Sequence, residues 1–268
     1  MSIIYINPFR FAAAAAYDPD AQDFINRVIA ADVAAGNTSG LEVGVQDAYN
    51  DFFVGCKADG TFNALKAACI MAGARTLAGA LVPLVSTMPA PTNNNFVAGD
   101  YDRETGLVGD GSTKYLNSNR ANSADPTDSK HLSVYITSGS SGFGQTYIGV
   151  DGGANGASGI FRAGAARLYT STVAFVANPG VASGLFGASR STLSTFTIRY
   201  NGANEAFSLT SQLPTNTNIT VFAMDNLGSV SGYTSDRLAF YSIGESLDLA
   251  LLDARVTALV NAIGAAIP

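Results

Sequence analysis

Phe196-Thr197-Ile198-Arg199-Tyr200-Asn201-Gly202 decides the architecture, because apolar and polar residues alternate over five positions and then stop at Asn-Gly. A period of two puts Phe196, Ile198 and Tyr200 on one face of a strand. Asn-Gly turns a strand back on itself readily, since both residues tolerate positive φ. The same alternation recurs at Leu132, Val134 and Ile136 and at Ile219, Val221 and Ala223. Turn-rich intervals at 139–144, 151–159 and 213–218 separate these runs at the spacing of a β-sandwich.

Outward from this β region the period becomes helical. Asp18-Pro19 offers an N-cap with proline in the first helical position, and Ala21, Phe24, Ile25, Val28 and Ile29 then predict a helix to about Ala35, stopped by Gly36-Asn37. Val45, Ala48, Tyr49, Phe52, Phe53 and Cys56 predict a second helix, and Phe62, Leu65, Cys69 and Ala72 a third. Pro89-Ala90-Pro91 and Asn93-Asn94-Asn95 read as a linker. Beyond the apolar run Leu238–Ile243, Ser246 is the expected cap of a last helix carrying Leu249, Leu252, Val256, Leu259, Val260 and Ile263 on one face and ending at Gly264. The expected division is an N-terminal arm at 1–17, a helical segment at 18–92, a β-sandwich at 93–245 and a C-terminal helix at 246–268 packing on the helical segment, with Leu252 and Leu259 buried.

Composition narrows the function. The 268 residues are 47% hydrophobic and 13% charged, enough apolar material for a sizeable core. A net charge of -6 with no cluster of Lys or Arg excludes general attraction to nucleic acid. The start of the chain lacks a basic n-region and an unbroken apolar core, so it reads as ordinary mature sequence. The most membrane-like window, Ala64–Val85, is interrupted by Lys66, Arg75 and Pro83, so no membrane insertion is expected. Cys56 and Cys69 are too few for a disulfide framework and read as small buried hydrophobes of a chain made in a reducing cytosol.

Three short motifs, in order, resemble a known family. Gly109-Asp110-Gly111-Ser112-Thr113-Lys114-Tyr115-Leu116 is similar to the opening strand pair of concanavalin-like (laminin-G-like) lectin/glucanase-fold domains of phage tail and virion proteins. Tyr200-Asn201-Gly202 resembles a hairpin of such domains, and Leu238-Ala239-Phe240-Tyr241-Ser242-Ile243-Gly244 with the helix after it resembles their closing strand and terminal helix. The resemblance covers residues 96–263, and the helical preface at 20–80 is similar to segments found in phages of cyanobacteria. It implies a β-rich α+β fold, a concanavalin-like jelly-roll sandwich with an N-terminal helical layer and a C-terminal helix. It also implies a non-enzymatic virion surface protein made in the bacterial host cytoplasm, either capsid decoration or a tail-associated adhesion module. Its partners would be other virion proteins in a homo-oligomer, with a trimer favoured because three-fold arrangements are common in assembled particles.

Two other classes compete with that expectation: a carbohydrate-binding host-receptor module and, more remotely, a glycan hydrolase. Retaining glucanases of this fold need two carboxylates about 5–5.5 Å apart, yet Glu42, Glu104, Glu205 and Glu245 are the only glutamates, none two or four residues from another. His131 is the sole histidine and reads as a solvated strand-end residue. Trp is absent, so Tyr147, Tyr169 and Tyr233 are the candidates for stacking a pyranose ring, with core packing as the competing role of each. Asp110, Asp151, Asn155, Asp225, Asn226 and Asp236 fall in or near loops, where calcium is the one conceivable cofactor, although Asp and Asn occupy turns for backbone reasons too. Ile3, Ile4, Tyr5, Ile6, Phe9 and Phe11 make the arm more apolar than a free terminus, which suits anchorage to the particle or a neighbouring subunit.

Overall fold

The computed structural model describes residues 16–140, 144–153, 155–177 and 183–268; the arm residues Ile3 to Phe11 lie outside them. One sheet has eight strands, in the order β13 (Ala203–Ser208), β12 (Thr195–Tyr200), β11 (Gly184–Arg190), β6 (Lys130–Ser138), β17 (Arg237–Gly244), β4 (Gly106–Val108) and β3 (Tyr101–Asp102), with β1 (Leu65–Ile70) also paired to β17. The other has nine, in the order β10 (Ala174–Phe175), β9 (Ala165–Leu168), β8 (Ser158–Phe161), β7 (Thr146–Asp151), β14 (Asn218–Val221), β5 (Tyr115–Ala121) and β2 (Thr92–Asn94). A hairpin of β15 (Met224–Asn226) and β16 (Ser229–Ser231) joins it through a parallel β15–β7 pairing. The chain is thus a jelly-roll sandwich of the concanavalin-like kind.

Among the described residues four helices cover the eight-stranded sheet: α1 (Pro19–Ala34), α2 (Val43–Ala58), the short α3 (Leu77–Ala80) and α4 (Leu249–Ala266). That sheet is therefore the middle of three layers. Leu132, Val134 and Ile136 of β6 face the other sheet, whereas Tyr135 faces the helices. In β17, Leu238, Tyr241 and Ile243 point one way and Ala239 and Phe240 the other, with a register shift between Leu238 and Phe240. A strand covered on both faces gains from apolar residues at every position, which accounts for the run Leu238–Ile243. Leu252 and Leu259 of α4 are buried as expected, in the core that α4 shares with α2 and this sheet.

Local chemistry sets most boundaries. Asp18 caps α1 by accepting from the backbone N–H groups of Asp20 and Ala21, with Pro19 first in the helix. The β12–β13 hairpin turns at Asn201 (φ 47°) and Gly202 (φ 79°). Other boundaries correct the expectations. The third helical stripe is instead strand β1, antiparallel to β17, so the segment 18–92 is not purely helical. Thr92–Asn94, read as linker, is an edge strand on β5. Residues 109–116 do not open with a pair: β4 and β5 lie in opposite sheets, and the connection turns where Asp110 accepts from the N–H groups of Ser112, Thr113 and Lys114. Helix α4 is capped by Asp248, not Ser246, and runs through Gly264 to Ala266. Its 18 residues, with mean hydropathy 1.5, are long and apolar enough to cross a membrane; here 39% of them are buried within the chain.

Candidate functional site

Among the described residues no helix covers the outer face of the nine-stranded sheet, and strand pairing assembles a cleft there. Thr146 of β7 pairs with Phe161 of β8, Phe161 with Ala165 of β9, and Ala165 with Phe175 of β10. Alternation turns Ile160, Ala166, Leu168 and Ala174 into the core and leaves Phe161, Ala165, Arg167 and Phe175 outside. Ala165 is a low point between two phenylalanines. The resulting cleft encloses ≈ 520 Å³ and is walled further by Arg162, Met224, Ser231 and Gly232. Phe175 is 55% exposed.

A second row supports the first. Gly149 of β7 pairs with Gly159 of β8, and Gly159 with Arg167 of β9. A Cβ on Gly159 would lie 2.6 Å from Cζ of Phe161, so the missing side chain is what lets that ring lie on the sheet. The Arg167 guanidinium stands 5.5 Å from the Phe161 ring centroid, a cation–π contact, and its Nη2 lies 3.2 Å from a carboxylate oxygen of Asp151. Arg162 Nη2 donates to Asp236 at 2.7 Å, and Asp236 also accepts from Tyr147 and Ser140. Both arginines are almost wholly buried, with side chains 6% and 10% exposed, and the Nε–H of each has no acceptor.

The structure separates the three tyrosines. Tyr147 and Tyr169 have no exposed surface, so neither offers a ring face to a sugar. Each is held by its hydroxyl: Tyr147 donates to Asp236, and Tyr169 lies within bonding distance of the Asn122 and Asp125 carbonyls. Tyr233 is half-buried, follows the β15–β16 hairpin, and packs on Tyr115 with ring centroids 6.3 Å apart. The accessible aromatics at the cleft are Phe161 and Phe175, which sequence reasoning missed. The signal available was an arginine alternating with apolar residues in Ala165-Ala166-Arg167-Leu168, beside the glycine-bearing strand Ser158–Phe161.

His131 is also misread by sequence, being fully buried under the helical layer. Its Nδ1 lies 2.6 Å from the Glu245 carbonyl oxygen, which only accepts, so the proton sits on Nδ1 and Nε2 accepts from the Ser242 hydroxyl at 2.9 Å. This Ser–His contact is sealed from solvent and has a backbone carbonyl where a catalytic triad has a carboxylate. The four glutamates lie on separate elements: Glu42 pairs with Arg75 and Arg103, Glu104 follows β3, Glu205 lies in β13 and Glu245 pairs with Lys66. Loop carboxylates mostly serve their own turns, as Asp110 does and as Asp225 does by accepting from Gly228. Asp236 is buried among Arg162, Tyr147 and Ser140 instead. Among the described residues, no group of three His, Cys, Asp or Glu side chains is placed to hold a metal ion.

No family model matches the chain, and the search of curated proteins returns no match. Solved structures that resemble it include a mutant of the NanB sialidase from Streptococcus pneumoniae, 13% identical with TM-score 0.37 over 53% of this chain and 26% of that one. The CBM40 of the Ruminococcus gnavus IT-sialidase is 12% identical with TM-score 0.37, covering 48% of this chain and 82% of its own. The botulinum neurotoxin serotype D binding domain is 11% identical with TM-score 0.45, covering 73% and 51%. This chain spans about a quarter of the length of the NanB sialidase chains it matches. At such scores the fold assignment rests on the sheets and layers themselves.

Proposed function

We propose that the chain is a non-catalytic binding module that takes a sugar in the outer-sheet cleft, at the surface of a virion. One observation carries the binding reading: the row Thr146–Phe161–Ala165–Phe175 sets two accessible aromatic rings about a small residue, beside buried polar groups, on the sheet face that no helix covers among the described residues. Pyranose rings present apolar C–H faces to such rings and hydroxyls to the polar groups. The non-catalytic part is supported by four glutamates that stand on separate elements and by the sealed His131–Ser242 pair. The virion setting is supported by the resemblance at 200–202 and 238–260, as capsid decoration or tail adhesion. The test is a glycan array probed with the full-length chain and with Phe175→Ala. We expect retention of a subset of sugars by the former and a loss of about fivefold or more in the latter, with no sugar released as product. Stoichiometric recovery of the chain from purified phage particles by mass spectrometry tests the setting; a chain that binds no glycan sinks the cleft reading.

A further inference from the structure

We infer that the cleft selects a carboxylated sugar, with Arg167 and Arg162 as its anchor, an inference that rests on the cleft being a sugar site. Both line the cleft, both are at least nine-tenths buried, and each keeps an Nε–H with no acceptor. An unmatched donor on a buried cation is costly, more so than on a neutral group. Two of the four buried side-chain atoms without partners among the described residues are these nitrogens, so the deficit is concentrated at one place.

Asp236 and Asp151 occupy one Nη2 each, which fixes the guanidinium groups without using their Nε edges. The cleft therefore has two cations against two carboxylates, and no long-range field draws an anion in. Selection comes at contact, where a carboxylate oxygen accepts from a guanidinium more strongly than a neutral hydroxyl or ester does. The Phe161 ring under Arg167 then lies beside the same ligand, so one sugar meets both an apolar face and a charged donor.

The experiment uses the full-length chain and an array of uronic-acid oligosaccharides, each printed beside its methyl ester, which keeps the ring and removes the charge. We expect acids to bind about tenfold or more tightly than their esters. Arg167→Gln should bring acid binding down to the ester's level, and Arg167→Lys should recover only part of it, because lysine keeps the charge but loses the Nε edge. Equal binding of acids and esters overturns the inference while leaving the sugar site standing. Acid preference unchanged in Arg167→Gln overturns the anchor. If neither acids, esters nor neutral glycans bind, both the inference and the sugar site fall. Should Arg167→Gln not fold, the acid–ester comparison on the unaltered chain decides alone.

Discussion

Single residues carry two consequences that composition hides. Burial pushes the His131 imidazole down to about 4, against its bond to the Glu245 carbonyl, which favours the protonated ring. The unfolded chain, with an ordinary histidine near 6.5, then binds more protons than the folded one between those values. Stability is highest above about pH 6.5 and falls as the solution is acidified toward pH 4. Between pH 7 and 5, above the range where most carboxylates titrate, the loss should be about 2 kcal/mol in urea denaturation. His131→Asn, which keeps a donor for Glu245 but does not titrate, should flatten that slope; an unchanged slope would show that other groups set it. Arg190 is a second hidden case. It has no exposed surface and, among the described residues, no carboxylate partner, and it donates to the carbonyls of Leu168, Thr192, Leu193, Thr195 and Leu209. An arginine satisfied by backbone alone has no partner that a sequence motif could reveal.

At the scale of elements, legibility followed burial geometry. Strands with one wet face or one dominant apolar face, such as β12, announced themselves by alternation, and α1 by its cap and proline. Strand β1 did not, because Leu65, Ala67, Ala68, Cys69 and Ile70 are buried against the other sheet or against the helices; a short run buried on both sides has no period of two, and its apolar spacing fits a helix equally well. The cleft was illegible for a related reason: Phe161 and Phe175 stand 14 positions apart and meet only through the register of three strands. Gly159 in β8 tests how that register makes the site. Alanine inside a strand usually gains up to about 1 kcal/mol over glycine, but here its Cβ would strike the end of the Phe161 side chain at 2.6 Å. That ring should lift off the sheet and leave Arg167. Gly159→Ala is expected to melt within a few degrees of the unaltered chain yet lose glycan binding and shift the Phe161 ring resonances; intact binding would mean that Phe161 does not form the platform.

For the whole molecule, the eight-stranded sheet belongs to two cores at once, so the helical segment and the sandwich are not separable bodies. Strand β1 comes from the segment 18–92 yet hydrogen-bonds along β17, from Leu65 opposite Gly244 to Ile70 opposite Phe240. On the helix side of that sheet, Tyr135, Leu185, Ala239 and Phe240 are buried in one cluster with Phe52 of α2 and Leu252, Val256 and Leu259 of α4. A chain limited to residues 93–245, the sandwich as composition would cut it, keeps β6 on one edge of β17 but loses β1 from the other, opposite residues 240–244, and leaves those four apolar side chains in water. A bare strand edge beside an apolar sheet face is a template for association. Residues 93–245 alone are therefore expected to aggregate, or to stay without a cooperative urea transition and with poorly dispersed amide resonances. Adding back 65–92 to restore β1 should not rescue folding, because the sheet face would still lack α1, α2 and α4. If the 93–245 fragment instead melts cooperatively as a soluble monomer, the helical layer is an accessory to the sandwich and not part of its folding unit.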